Sequence, residues 1–86
     1  MSTPERARAA IVDALVEVAP EIDPAAVSEG IALQEAFELD SMDFLAVLEG
    51  IAARTGVEVP ERDLAAISTL EGCTAYVAAQ MDAARS

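Results

Sequence analysis

The chain is 86 residues long and 53% hydrophobic, with one Tyr, two Phe and no Trp, which suits a single domain over residues 1–86 built from helices packed closely through thin aliphatic side chains. It carries 16 Asp and Glu against 5 Arg, a net charge of -11 at pH 7, so its surface repels nucleic acid and anionic membranes, attracts basic protein patches and helps keep a small protein soluble. Having neither His nor Lys, it offers no imidazole or amine to activate a serine and no His-containing metal site, and it lacks an EF-hand loop, which argues against a hydrolase and against an EF-hand calcium site.

The N-terminus, Met1 to Arg6, has no apolar signal run, and no stretch of the chain has the uninterrupted apolar length of a membrane span, so a cytoplasmic setting is expected. A first helix follows: Ser2 or Thr3 caps it, Pro4 suits its first turn, and Ala7, Ile11, Leu15 and Val18 recur at helical spacing until Pro20 ends it. The connection from Glu21 to Leu39 is long enough to carry structure or function of its own. Asp23 and Pro24 read as a cap and first helical position, with Ile22 and Val27 as a hydrophobic staple, and Ile31, Leu33, Phe37 and Leu39 are expected to drop onto the bundle.

A second helix is capped by Asp40, with Asp43 adding a second negative charge to its first turn. Phe44, Leu45, Leu48, Ile51 and Ala52 are expected on its buried face, Met42, Ala46, Glu49 and Ala53 on the other, and Gly56 as its terminator. Val57 to Pro60 is an extended link, and Arg62 to Ile67 forms a helical turn or two. The last helix begins at Ser68 or Thr69, where Ser68 and Glu71 have capping-box spacing, and continues through Cys73, Val77 and Met81 on one face. As the sole cysteine, Cys73 makes no intrachain disulfide, which suits a reducing compartment. The expected fold is all-α: three main helices, one short one, and a long packed loop between the first and second.

Ser41 stands at the first position of the central helix, where unpaired amides and the positive end of the dipole favour an anionic substituent. Three stretches around it resemble the acyl carrier protein family, and the likeness runs from about Ile11 to Met81. Leu39-Asp40-Ser41-Met42-Asp43-Phe44-Leu45 is similar to the family's Asp-Ser-Leu modification site, Gly56 to Glu61 to the link after its central helix, and Ser68-Thr69-Leu70-Glu71 to the start of its last helix. The resemblance implies a four-helix bundle and 4'-phosphopantetheine received on Ser41 from coenzyme A through a separate phosphopantetheinyl transferase. The chain would then be a carrier rather than an enzyme, delivering acyl or aminoacyl thioesters from a loading enzyme to downstream transferases with basic docking patches.

Asp40, Met42, Asp43 and Glu49 are the expected partner-recognition residues, three acids and one flexible apolar contact. The chain departs from the family at Glu38, where Gly usually precedes the Asp-Ser pair by two residues, so the turn into the helix is expected to differ. Ala46, Ala52 and Ala53 stand in a helix that is Glu-rich in fatty-acid carriers, pointing to a specialised pathway such as polyketide, lipid-modification or aminoacyl transfer. Phe44, Cys73, Tyr76 and Met81 are expected in the core, and the cargo is expected to be short or held at the surface. The competing reading is an unmodified acidic helical adaptor or inhibitor that masks a basic partner surface.

Overall fold

The structure, a computed structural model, describes residues 2–85. Helix α1 spans Thr3–Val18. Ser2 caps it: its Oγ accepts from the Glu5 amide at 3.2 Å, while Glu5 Oε1 accepts from the Ser2 amide at 3.3 Å. This reciprocal box satisfies two amide donors at the helix entrance. Ala7, Ile11 and Leu15 are buried, as their spacing predicts, and the helix stops at Val18, two residues before Pro20.

The long connection is packed along most of its length. Asp23 Oδ1 accepts from the Ala25 amide at 3.0 Å and opens a 3-10 turn, Pro24–Ala26, flanked by buried Ile22 and Val27. Arg8 on α1 clasps the loop by bonding Glu29 at 2.8 Å and the Val27 carbonyl at 2.9 Å. Backbone bonds then tie the loop to the start of the last helix: Leu33 N to Ser68 O at 2.9 Å, Leu70 N to Ile31 O at 3.1 Å and Glu71 N to Glu29 O at 2.8 Å. A single turn, α2 over Leu33–Ala36, buries Leu33, and Leu39 is buried just beyond it.

Helix α3 spans Ser41–Thr55 and ends at Gly56, whose φ of 77° lies in the left-handed region that favours glycine. Its inner face departs from expectation. Val47 and Ile51 are fully buried and Phe44 and Leu48 half-buried, whereas Leu45 is 50% exposed. At about 100° per residue, Leu45 is turned well away from a face centred on Val47 and Ile51, so it lies toward the outer side of the helix.

A seven-residue 3-10 helix, Glu61–Ile67, follows the extended link, and α4 spans Leu70–Arg85. The expected Ser68–Glu71 capping box is absent. Ser68 has helical backbone angles (φ -70°, ψ -24°), which disqualify it as a cap. Thr69 takes that role, its Oγ1 accepting from the Gly72 amide at 3.0 Å. A Cβ on Gly72 would lie 2.4 Å from the Ala66 carbonyl oxygen, so the missing side chain is what lets the 3-10 helix lie against α4. Helix α1 is the common partner of α3 and α4, with Ile11, Leu15, Ile51, Leu70 and Val77 filling the interior between them. Among the described residues, no helix is long and apolar enough to cross a membrane.

Candidate functional site

Ser41 is exposed at the first residue of α3, and the chain on both sides of it is held firmly. Before it, buried Leu39 donates its amide to the Gln34 carbonyl at 2.9 Å. Around it, Asp40 Oδ1 accepts from the Asp43 amide at 2.8 Å and Asp43 Oδ2 accepts from the Asp40 amide at 3.3 Å. This is a capping box made by two aspartates, where sequence reading assigned Asp43 only a favourable charge. The box takes the Asp43 amide, leaving those of Ser41 and Met42 as the unbonded donors of the first turn.

The turn into this helix is unusual at one residue. Glu38 has φ 53°, the one non-glycine residue with positive φ among those described. The backbone there takes the left-handed conformation that glycine adopts most easily, although no glycine is present.

Beside Ser41 lies an open, mainly apolar groove of about 870 Å³. Phe44, Leu45 and Leu48 of α3 form one wall, Leu64 and Ala65 of the 3-10 helix face them, and Leu39 lies in the loop side. Phe44 therefore lines this groove while packing partly against the core, and Leu45, exposed by its position on α3, lines it as well. Tyr76 also departs from a simple core role: it is half-buried, and its hydroxyl donates to Asp63 Oδ2 at 2.7 Å. That bond, then desolvation, then the acceptor's negative charge raise the phenol's pKa.

A family model described as the phosphopantetheine attachment site matches residues 9–77, a span that includes Ser41 and most of the bundle. The chain belongs to this family. No curated protein and no solved structure matches it. It is thus a phosphopantetheine carrier domain, of a kind that is modified by partner enzymes and has 4'-phosphopantetheine as its covalent cofactor. The site suits that group: an accessible hydroxyl, two unbonded amides at the positive end of α3 for a phosphodiester, and an apolar groove within the same surface.

The residues expected to recognise partners divide by environment. Met42 is 73% exposed and shares an outward stripe of α3 with Leu45 and Glu49. Asp40 is exposed and Asp43 half-buried, each with one carboxylate oxygen committed to the capping box. Glu35, at the groove, and Glu38, in the turn, are exposed acids close in sequence to Ser41 that sequence reading did not single out as contacts. Cys73, the one thiol, is buried at the α4 face of the core, where desolvation pushes its pKa up to about 12.

Proposed function

We propose that Ser41 is the residue that receives 4'-phosphopantetheine and that the chain delivers acyl or aminoacyl thioesters to separate biosynthetic enzymes in the cytoplasm, performing no chemistry of its own. The observation that carries this reading is the exposed Ser41 hydroxyl at the start of α3, within the lining of an apolar groove. With coenzyme A as donor, the Ser41 Oγ would form the new phosphodiester bond to phosphorus while the nucleotide part of coenzyme A leaves. Lacking His and Lys, the chain has no good base for the hydroxyl proton, which must pass to a group on the transferase. When attached, the arm supplies the thiol on which cargo is carried.

The residues of the chain then have distinct tasks. Asp40 and Asp43 fix the first turn, so that Ser41 is presented from a rigid helix rather than a loose loop. Met42 and Leu45 offer an apolar contact, and Glu35, Glu38 and Glu49 add charge for steering basic partner surfaces toward it. Because the bundle interior is already filled, the cargo lies in the groove at the surface. Weak docking is sufficient, since the tether itself concentrates the thioester at a partner's active site.

Intact mass measurement after incubation with coenzyme A and a broad-specificity phosphopantetheinyl transferase tests the proposal. The wild-type chain is expected to gain one phosphopantetheine and Ser41→Ala none. An unmodified wild-type chain, under conditions that load another carrier, would favour the adaptor reading.

A further inference from the structure

The groove has one wall that is weakly built. The 3-10 helix Glu61–Ile67 supplies Leu64 and Ala65 to it, yet within this segment only Ile67 is buried. A 3-10 run of seven residues is unusually long, and its hydrogen bonds are strained in geometry compared with those of an α-helix. Its C-terminal end is secured by Ile67 in the core and by the close approach of Ala66 to Gly72. Its first turn lacks a buried anchor and is tied across to α4 by the Tyr76 hydroxyl bonding Asp63 at 2.7 Å. Leu64, which faces the groove, follows Asp63 directly in the chain.

From this arrangement we propose that the Tyr76–Asp63 hydrogen bond sets how far the groove can widen and so selects the size of apolar cargo it covers. This rests on the reading of the groove as the place where cargo lies. Tyr76 is a positioning residue here, acting through Asp63 and the 3-10 helix without touching the cargo. With the bond made, Leu64 stays close to the α3 wall and suits a small acyl group. Without it, the first turn of the 3-10 helix swings about the Ile67 anchor and admits a longer one.

Two measurements on the full chain test this. The first is amide hydrogen exchange of the unmodified protein. Tyr76→Phe is expected to speed exchange in residues 61–66 by about tenfold, the loss of one charge-assisted hydrogen bond, with the α1 core amides unchanged. Asp63→Asn, which keeps a neutral acceptor for the hydroxyl but loses the charge, is expected to fall between wild type and Tyr76→Phe. The second loads wild type and Tyr76→Phe with straight acyl chains of increasing length from acyl-coenzyme A donors and records the melting temperature of each product. The length that stabilises most is expected to shift upward in Tyr76→Phe.

Unchanged exchange in residues 61–66 overturns the proposal, as does faster exchange with the same preferred chain length in both proteins. Exchange needs no modification of the chain. A failure of wild type to load would therefore count against Ser41 as the attachment residue, while the exchange result still decides whether the bond holds the wall.

Discussion

Glu38 adopts a backbone conformation for which its side chain is poorly suited, three residues before the serine on which the function is proposed to depend. A side chain with a Cβ at φ 53° costs about 1 kcal/mol relative to glycine, partly offset because glycine has more freedom to lose on folding. Glu38→Gly is therefore expected to stabilise the fold by about 0.5 kcal/mol, raising the melting temperature by about 2–4 °C in thermal denaturation. A fall in melting temperature would show that the Glu38 side chain contributes more to the fold than its backbone costs. Cys73 makes a second prediction at this scale. Its pKa of about 12 exceeds the ordinary 9.0, so burial of the neutral thiol contributes stability below pH 9 that is lost as pH rises toward 12. At pH 8 the unmodified native protein is expected to show no thiol to a disulfide exchange reagent and one in denaturant. After transfer of the pantetheine arm it is expected to show one in the native state, which separates the cofactor's thiol from the protein's own.

The helices show which structural signals are local and which are not. Ser2, Asp40 and Gly56 act within a turn of their own positions, so the chain alone predicts both ends of α3 and the entrance of α1. The inner face of α3 is less legible, because both Leu45 and Val47 fit a helical rhythm and only the position of α1 decides that Val47 goes inward. The same applies at α4, where Ser68 and Thr69 are equally plausible caps until the loop pairing of Ala32 with Thr69 settles the entrance. Gly72 gives no signal at all in a helical sequence, since its role is set by a carbonyl on a different element. Gly72→Ala is expected to destabilise the fold by about 1–3 kcal/mol despite alanine's higher helix propensity, because the new Cβ forces α4 and the 3-10 helix apart. A chemical denaturation midpoint at or above wild type would contradict that packing.

At the scale of the whole molecule, the proposed attachment residue stands in a motif legible in the sequence, while the groove beside it does not. Ser41 and its cap lie in one short motif, whereas the groove is assembled from α3, the loop before it and the 3-10 helix more than a dozen residues further on. The Tyr76–Asp63 bond likewise joins positions whose separation has no helical meaning. Charge is the other molecular property, and it predicts how partners are met. With a net charge of -11 and exposed Glu35, Glu38 and Glu49, association with the basic partner surfaces proposed above would be steered over distances comparable to the Debye length, about 10 Å at 0.1 M salt. For the transferase reaction, kcat/KM is expected to fall severalfold between 0.05 and about 0.5 M salt, mainly through KM. The triple replacement of these glutamates by glutamine is expected to flatten that dependence. An equal salt dependence in the triple variant would move the steering charge elsewhere on the surface.

Ser41 is proposed to carry the pantetheine arm, and peptide fragmentation by mass spectrometry after enzymatic loading is the direct test. Cleavage at arginine places Ser28 and Ser41 on the same peptide, Ala9 to Arg54, and Ser68 on another, so fragment ions distinguish all three. The full phosphopantetheine mass is expected on fragments containing Ser41 and on none that lack it. The same mass on Ser28, or on Ser68 at the far side of the groove, would contradict it.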